Sequence, residues 1–324
     1  MSIVYELIHQ FDTITVFRHQ HPDPDALGSQ WGLVTWLRTR FPSKRVFALG
    51  QHKGPKPHLF QPADVVDDET IRSSLAIVLD TANAARIDDA RYALASVILK
   101  IDHHPLGEAY ATHELMNELA ASTSEIIADL IKSFQVGEPM DAQAARYLYM
   151  GILTDSLNFS TANTSAKTLE TAAYLAQSGL DLPQINQDLY LMEAKEFTFI
   201  NWLRQTAIAD GDVIYAIITL EDLARLEIKP GIAKEHINVL GQVRDYTVWA
   251  LFIEQIEEGE PHFNGSIRSR MVSVNDIAKR YHGGGHRLAA AVKKLDRSGI
   301  HQVITDLKER LHETRLHLSS ENKS

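Results

Sequence analysis

Four short apolar runs in the first third of the chain constrain its fold more than any other feature. TITVFRH (13–19) and KRVFALG (44–50) have strand-like patterns, and LAIVLDT (75–81) and SVILKID (96–102) are almost continuously apolar. Strands of the last kind are typical of parallel sheets that are buried on both faces. The segment 26–41 between the first two runs has apolar residues at helical spacing. The sequence therefore predicts an α/β domain with a mainly parallel sheet.

The second half of the chain has a different pattern. Segments 122–134, 142–155 and 164–181 are predicted helices, and 182–207 is predicted to be helical for most of its length. The segment 212–223 begins with a strand pattern, and 246–255 is a predicted strand. An alternating run at 262–270 is predicted to be an edge strand or a neighbour of these, and 274–282 a short helix. Because 324 residues are many for one core, we predict two domains. The predicted boundaries are 1–185 for the first domain, 186–209 for a helical connector, 210–315 for a smaller α+β domain and 316–324 for a polar tail.

Composition excludes several classes of site. The chain has no cysteine, so any metal must be held by His, Asp, Glu or neutral oxygen ligands. No apolar run reaches the roughly 18 residues of a membrane span, and the N-terminal residues do not resemble a signal peptide. We therefore expect a cytoplasmic protein without a membrane partner. The net charge of −10 argues against binding along long nucleic acids.

Acidic and histidine side chains recur where the predicted strands and helices end. HQHPDPDALGSQ (19–30) follows the first strand, and other such residues end the runs AIVLD, VILKI and YMGILTD. The set comprises His19, Asp23, Asp25, Asp80, Asp102, His103, His104 and Asp155. Any one of them could simply form a turn or cap a helix. Ligands of open parallel sheets bind outside the carboxyl ends of the strands, however, so we predict that these side chains converge at one edge.

Converging carboxylates repel one another unless cations neutralise them. Carboxylate and imidazole ligands without thiolate suit Mn²⁺, Mg²⁺ or Zn²⁺. There are enough ligands for two ions that share a bridging carboxylate. Two ions about 3.5–4 Å apart can stabilise the attacking and leaving oxygens of a phosphoryl displacement. The residue types therefore point to metal-assisted phosphoester chemistry.

A basic segment near the C-terminus indicates an anion site. Residues 262–297 contain eight Lys or Arg and two Asp, although a solvated basic face would have the same composition. Arg268 and Arg270 alternate along a strand, so both face one side, and guanidinium groups suit bidentate phosphate contacts. Gly283, Gly284 and Gly285 would let backbone N–H groups approach an anion, or would form only a flexible turn. His286 ends this loop.

These motifs together resemble the DHH phosphoesterase family with a DHHA1 second domain. The resemblance rests on H-x-x-x-D-x-D, the strand-ending Asp, Asp-His-His, the later Asp and Gly-Gly-Gly-His, and it extends from His19 to His286. DTANAARIDD (80–89), STSEIIADL (122–130) and 266–291 resemble the nano-RNase A branch. Members of that branch are bacterial oligoribonucleases that also remove the 3′-phosphate from adenosine 3′,5′-bisphosphate.

The resemblance implies a role for each position of the motifs. His19 and Asp23 would hold one manganese ion, Asp25, His103 and Asp155 would hold a second, and Asp80 would bridge the two. As the catalytic pair, His104 would sit beside the scissile phosphate as stabiliser or proton donor, and Asp102 would orient a histidine. The second domain would hold the terminal nucleotide of the substrate with Arg268, Arg270, Gly283, Gly284, Gly285 and His286.

Three residues do not follow the family pattern. The family commonly continues its last aspartate with Thr-Gly, whereas Ser156 and Leu157 stand here before Phe159. This substitution leaves the geometry of the loop after Asp155 open. His21 lies within the first motif but matches no ligand of the family, and we expect a structural role for it.

The sequence therefore predicts a manganese-dependent phosphodiesterase, with Mg²⁺ as a possible substitute. Its substrates would be RNA of two to five nucleotides and adenosine 3′,5′-bisphosphate, and a homodimer is possible. A phosphodiesterase for cyclic di-AMP or pApA has similar motifs and remains an alternative. A family II inorganic pyrophosphatase would lack Gly-Gly-Gly-His, and a non-catalytic nucleotide-binding regulator would usually have lost ligands.

Overall fold

The structure is a computed structural model that describes residues 2–54, 56–105, 107–135, 137–257 and 259–321. The chain divides into two compact units, Met1–Leu191 and Met192–Ser324. The division falls within the segment 186–209 that the sequence predicts as a connector. None of the helices in the described part of the chain is both long and apolar enough to cross a membrane.

The first unit contains a five-stranded parallel sheet in the order β2-β1-β3-β4-β5, surrounded by helices. The predicted α/β class is confirmed. Its elements are α1 (Ser2–Gln10), β1 (Thr13–Phe17), α2 (Pro24–Arg40), β2 (Arg45–Ala48), α3 (Asp68–Arg72), β3 (Leu75–Leu79), β4 (Val97–Asp102), β5 (His113–Met116), α4 (Thr123–Phe134), α5 (Ala142–Asp155), α6 (Ala166–Ala176) and α7 (Leu182–Tyr190). All five residues of β1 and of β3 are buried, as expected for strands between two helical layers.

The second unit contains a six-stranded mixed sheet in the order β10-β11-β9-β8-β7-β6. Among the described strands of this sheet, only β7 and β8 pair in parallel. Its elements are α8 (Ala194–Thr206), β6 (Ile208–Asp210), β7 (Val213–Ile218), α9 (Leu220–Arg225), α10 (Pro230–Glu235), β8 (Val248–Glu257), β9 (Glu260–Ser269), α11 (Asn275–Arg280), β10 (Gly284–His286), β11 (Ala289–Leu295) and α12 (Arg297–Glu321). Each face of this sheet packs against its own apolar cluster.

The structure corrects several expectations in the second half of the chain. Of the two alternatives for the run at 262–270, the structure has the neighbouring strand and not the edge strand, because β9 pairs with β8 on one side and with β11 on the other. The predicted Gly-Gly-Gly-His loop is in part strand β10, which pairs with β11. The predicted polar tail from residue 316 is helical as far as Glu321, and residues 322–324 lie outside the described part of the chain.

Candidate metal centre

The predicted site residues of the first unit lie where β1, β3 and β4 end. From β1 the chain passes to β2 on one side and then to β3 on the other side, so the strand order reverses beside β1. Ligands of open α/β sheets bind at such a reversal, outside the carboxyl ends of the strands. The loops after β1, β3 and β4, the start of α2 and the end of α5 bring the acidic and histidine side chains to this edge.

A first group of ligand atoms comes from His19, Asp23 and Asp80. Nε2 of His19 lies 3.4 Å from Oδ2 of Asp80 and 3.8 Å from Oδ2 of Asp23. The other oxygen of Asp23 accepts the N–H groups of Asp25 and Ala26 at 3.0 Å, because Asp23 caps the N-terminus of α2. One carboxylate oxygen of Asp23 thus caps α2, and the other faces His19 in the first group of ligand atoms.

A second group comes from Asp25, His103 and Asp155. Nε2 of His103 lies 3.4 Å from Oδ2 of Asp155 and 3.6 Å from Oδ1 of Asp80. Asp80 therefore directs one carboxylate oxygen toward each group, Oδ2 toward His19 and Oδ1 toward His103. A carboxylate placed in this way is suited to bridge two cations.

The two histidines are oriented by backbone carbonyl groups. Nδ1 of His19 lies 2.7 Å from the oxygen of Gln20, and Nδ1 of His103 lies 3.3 Å from the oxygen of Ala120. When Nδ1 donates its proton to a carbonyl, Nε2 presents a lone pair, which is the state a metal ligand needs. In both residues Nε2 is the nitrogen that faces the carboxylates.

Asp25 is held by the N-terminus of α4. Its two oxygens accept the N–H groups of Thr123 and Ser124, each at 2.9 Å, and the side chain is fully enclosed. Helix N-termini favour negative charge, so this placement partly offsets the cost of burying a carboxylate. A Cβ on Gly151 of α5 would lie 2.0 Å from Oγ of Ser124 and 2.8 Å from Oδ1 of Asp25. Glycine at 151 therefore permits α5 to approach this contact.

His104 differs from the other histidines. Its Nδ1 lies 2.8 Å from Oδ1 of Asp102, which also accepts the backbone N–H of His104 at 3.0 Å. The same Nδ1 lies 3.4 Å from Oδ1 of Asp80, so His104 also forms a third group with Asp80 and His103. Nδ1 of His104 is thus engaged by Asp102. Asp102 orients this histidine and neither of the two assigned to ligands.

The electrostatics of the cluster match its crowding. Burial and the neighbouring Asp80 raise the pKa of Asp155 to about 6, although His103 opposes the shift. Burial, with Asp80 and Asp155 nearby, also raises the pKa of Asp25 well above its usual range. At Asp80 burial acts in the same direction, but the surrounding histidines outweigh it and lower the pKa to about 2. Carboxyl groups with such opposed pKa values are typical of functional sites.

The pKa of His104 is raised to about 9. Burial opposes the charged form, but the bond to Asp102 and the charge of Asp80 outweigh it. The pKa of His19 is raised in the same way, since burial is outweighed by Asp80. Protons and cations therefore compete for this cluster of side chains.

The loop after Asp155 explains the departure from the family pattern. Leu157, Asn158 and Phe159 all have positive φ angles, 47°, 57° and 61°. Leu157 stands where the family commonly has glycine, which is the residue that adopts such angles without strain. The hydroxyl of Ser156 accepts the N–H of Phe159 at 3.0 Å. The chain therefore forms the turn without glycine, with a left-handed leucine.

Sequence reasoning did not find the residues that fix the turn after β1. The buried guanidinium of Arg18 donates to Oδ2 of Asp88 at 2.6 Å, to Oε1 of Gln30 at 3.1 Å and to the carbonyl of His52 at 2.7 Å. Asp88 lies in DTANAARIDD (80–89). The residues of this segment indicated the family, but they did not indicate the ion pair between Asp88 and Arg18. His21 has a positive φ of 51°, and its ring centroid lies 4.3 Å from that of His52.

Residues of the second unit form a row across one sheet face. Register pairs His286 with Ala289, Ala289 with Arg268, and Arg268 with Trp249. The guanidinium of Arg268 donates to the carbonyl of Ile267 at 3.0 Å and has no carboxylate partner among the described residues. Burial lowers its pKa. The Arg268 guanidinium is thus available to an anion.

Arg270 is more fully engaged by the protein. Its guanidinium donates to the carbonyls of Gly241 and Tyr246 and lies 5.2 Å from the centroid of the Trp249 ring. Arg270, which directly follows β9, thus packs against Trp249 of β8.

The three glycines have different surroundings. A Cβ at Gly283 would meet the Ala291 carbonyl oxygen at 1.8 Å, and one at Gly285 would meet the Ala289 oxygen at 2.5 Å, whereas Gly284 faces open space. Close strand packing therefore accounts for Gly283 and Gly285.

Comparison with known proteins identifies the protein family to which this fold and this site belong. The family model described as the DHH family, N-terminal domain, matches residues 13–152, and the DHHA1 domain model matches residues 210–313. A relative from Bacillus subtilis (strain 168), the bifunctional oligoribonuclease and PAP phosphatase NrnA, is 32% identical over 93% of this chain and 95% of its own length. The chain therefore belongs to the DHH family with a DHHA1 domain, and it is a phosphoesterase of the hydrolase class.

Two further similarities are less specific. The cyclic-di-AMP phosphodiesterase GdpP of Geobacillus thermodenitrificans (strain NG80-2) is 24% identical over 95% of this chain but only 48% of its own length. The crystal structure of an exopolyphosphatase-related protein from Bacteroides fragilis matches with a TM-score of 0.86 at 20% identity, covering 98% of this chain and 97% of that chain. At this identity the second similarity shows a shared fold.

Proposed function

We propose that this chain is a two-metal phosphodiesterase that uses Mn²⁺ to hydrolyse RNA of two to five nucleotides in the cytoplasm. We also propose that it removes the 3′-phosphate of adenosine 3′,5′-bisphosphate. The observation that carries the proposal is the position of Asp80, whose two oxygens face two separate ligand groups at 3.4 and 3.6 Å from His19 and His103. The substrate follows from the name of the Bacillus subtilis relative, which the chain matches along nearly its whole length.

The donor set fits divalent cations. Each group combines one imidazole with carboxylates, and this mixture suits Mn²⁺ better than Mg²⁺, which prefers oxygen ligands alone. We propose that His19 and Asp23 hold one ion, that Asp25, His103 and Asp155 hold the other, and that Asp80 bridges them. When bound, such ions supply a hydroxide near neutral pH and neutralise charge on the phosphate.

The chain's own residues supply the remaining steps. His104, held through Nδ1 by Asp102, presents Nε2 to the substrate and donates a proton to the departing oxygen of the ribose. The negative charges of Asp25 and Asp155 repel the phosphate of the substrate, so the phosphate can enter the site only when cations neutralise them. The second unit binds the terminal nucleotide of a short substrate. The residues that do so are Arg268, Gly284, Arg270 and His286.

A panel of substrates tests this proposal. Protein freed of metal by chelation should be inactive and should regain activity with Mn²⁺, less with Mg²⁺. Its rate should be highest on RNA of two to five nucleotides and on adenosine 3′,5′-bisphosphate, and low on a twenty-nucleotide RNA. An Asp80→Asn variant is the control for contaminating nucleases.

The similarity to GdpP favours one other function, hydrolysis of cyclic di-AMP or its linear product pApA. The same panel therefore includes both dinucleotides. Faster turnover of cyclic di-AMP than of a three-nucleotide RNA would replace the proposed substrate with a cyclic one. Binding of these nucleotides without turnover at any metal concentration would make the chain a regulator.

A further inference from the structure

A charged side chain lies beneath His104 that the proposed reaction does not use. Lys100 precedes Asp102 by two residues on β4, so both side chains point to the same face of the sheet. Both side chains are completely inaccessible to solvent. Fully buried lysines are rare, and a charge in such a place requires a partner. Lys100 is therefore a candidate for a specific role.

The ammonium group of Lys100 has three neighbours in the described part of the chain. Nζ lies 3.8 Å from Oδ2 of Asp102 and 5.1 Å from the centroid of the Tyr110 ring, and it donates to the carbonyl of Ala82 at 3.3 Å. Asp102 is the only carboxylate with which it forms an ion pair among the described residues. The charge of Lys100 thus acts mainly on Asp102.

The carboxylate of Asp102 is divided between two partners. Oδ1 accepts one hydrogen bond from the backbone N–H of His104 and a second from Nδ1 of the same residue. Oδ2 is buried and has no hydrogen-bond partner among the described residues, and the ammonium group of Lys100 lies 3.8 Å from it. Without that positive charge, Oδ2 would be a buried polar atom with neither a hydrogen bond nor a cation beside it, which is unfavourable.

We infer that Lys100 is a positioning residue for His104. Its charge holds Oδ2 of Asp102, which keeps Oδ1 aligned with Nδ1 of His104 and therefore aims Nε2 of His104 at the leaving oxygen. The inference rests on the proposed phosphodiester hydrolysis and adds to it a third residue in the line Lys100, Asp102, His104. The proton passes from Nε2 to the leaving oxygen, and Lys100 itself takes no part in that transfer.

A second role for Lys100 has to be separated from the first. Its bond to the Ala82 carbonyl also supports the loop that carries Asp80, which has a positive φ of 53°. Tyr110 supports the same loop, because its hydroxyl donates to the carbonyl of Thr81 at 2.6 Å. Support of the loop affects metal binding and hence every substrate. Orientation of His104 affects only reactions whose leaving group needs a proton.

Leaving groups of different acidity distinguish the two roles. A dinucleotide releases a ribose hydroxyl and needs a proton donor, whereas bis(4-nitrophenyl) phosphate releases nitrophenolate and does not. The full-length, Mn²⁺-loaded Lys100→Met variant should lower the ratio of kcat on the dinucleotide to kcat on the nitrophenyl diester by roughly 10- to 100-fold. The KM for the dinucleotide and the manganese content should stay near the wild-type values.

Three variants serve as comparisons. His104→Ala should lower the same ratio at least as far, and adding Lys100→Met to it should lower the ratio no further, because both changes remove one function. Tyr110→Phe removes the support of the loop but leaves Lys100 and Asp102 in place. It should change the two rates by the same factor.

Equal losses on both substrates in Lys100→Met, or loss of manganese, would make Lys100 only a support of the metal site. An unchanged ratio would remove it from the reaction. If Lys100→Met does not fold, as judged by thermal unfolding, Lys100→Met with Asp102→Asn removes both buried charges together, which is better tolerated. That double variant should show the same lowered ratio as Asp102→Asn alone, because Lys100 acts through Asp102, and a further drop in the ratio would overturn the inference.

Failure of the proposed function is recognised separately. In that case the wild-type protein itself would hydrolyse neither short RNA nor adenosine 3′,5′-bisphosphate, while any nitrophenyl activity would remain measurable. The leaving-group comparison can then be repeated with pApA, which also releases a ribose hydroxyl.

Discussion

At the scale of single residues, Asp80 combines burial, a positive φ angle and contacts with several potential metal ligands. It is buried and has a positive φ, and it takes part in two of the three groups of potential ligands. Its Oδ1 also accepts the hydroxyl of Thr123 at 3.1 Å. Strained backbone of this kind persists only where the surrounding structure enforces it, and it is concentrated at functional sites.

We expect Asp80→Asn to remove both ions, whereas Asp23→Asn should remove one. The amide cannot bridge two cations, while Asp23 contacts only the group around His19. Metal content per chain, measured after dialysis against trace Mn²⁺, should be near zero for the first variant and near one for the second. Two retained ions in Asp80→Asn would contradict the bridging role.

Leu157 is a second residue whose conformation has a measurable cost. Its φ of 47° is unfavourable for a side chain with a Cβ, and the leucine is 56% exposed. Leu157→Gly should therefore raise the free energy of unfolding by about 1 kcal/mol, because the left-handed strain is removed and little burial is lost. Chemical denaturation measures this difference.

Leu157→Ala is the matched control, because alanine removes the atoms beyond Cβ, as glycine does, but keeps Cβ itself. It should not stabilise the protein. Equal stabilisation by alanine and glycine would mean that the exposed side chain, and not the backbone angle, is unfavourable.

At the scale of elements, small and basic side chains form a row across β10, β11 and β9 of the second unit. Ala289 separates His286 from Arg268 in the row that ends at Trp249. The opposite face is covered by α12 through an apolar cluster that includes Ile300, Val303 and Leu307. The row with Arg268 therefore lies on the face that α12 does not cover.

Arg268→Ala should raise the KM for a dinucleotide about tenfold or more while kcat changes little, because the guanidinium binds ground state and transition state alike. Hydrolysis of a small nitrophenyl diester should be unaffected. Arg268→Lys keeps the charge but loses the planar fork, so it should restore only part of the affinity. A parallel loss on both substrates would exclude Arg268 from nucleotide binding.

Arg270→Ala should also raise KM, but with a second consequence. Because the Arg270 guanidinium bonds to the Gly241 and Tyr246 carbonyls and covers Trp249, its loss should lower the melting temperature as well. Arg268→Ala, whose guanidinium has one backbone bond, should leave the melting temperature nearly unchanged. Thermal unfolding of the two variants separates binding from anchoring.

At the scale of the whole molecule, metal binding, protonation and folding are linked. The folded pKa of Asp155 is about 6 against an ordinary value of 3.8, and that of His104 is about 9 against 6.5. A group with a raised folded pKa binds more protons when folded, so its contribution to stability falls as the pH rises. For Asp155 this loss occurs between about 4 and 6, and for His104 between about 6.5 and 9. Asp80 has a lowered folded pKa near 2, so its contribution to stability is fully present above about pH 4 and is lost as the pH falls toward about 2.

Cations replace these protons, so Mn²⁺ should stabilise the protein more at high pH than at low pH. We expect the rise in melting temperature caused by saturating Mn²⁺ to be clearly larger at a pH of about 8 than at about 5. Asp155→Asn should reduce the difference, because the amide carries no competing proton. A rise of equal size at both pH values would show that these groups do not bind the ions.

The sequence by itself determined the elements that carry the chemistry. The continuous apolar runs 75–81 and 96–102 became β3 and β4 because such strands are stable only between two layers of helices. The motifs that end these strands indicated the family and the candidate ligands, since their residue types have few other uses in combination. Local pattern and residue chemistry are properties of short segments, and short segments can be read directly from a sequence.

Only the tertiary structure decided the arrangements that depend on distant segments. Asp25 is held by Thr123 and Ser124, almost one hundred positions later, and Arg18 is paired with Asp88. His104 and His103 are adjacent in sequence, yet one is bound by Asp102 and the other by the Ala120 carbonyl. Lys100 occurs in an apolar strand, where its burial beside Asp102 is invisible from local pattern. Partners of this kind follow from how helices and strands pack together, and no local periodicity encodes that packing.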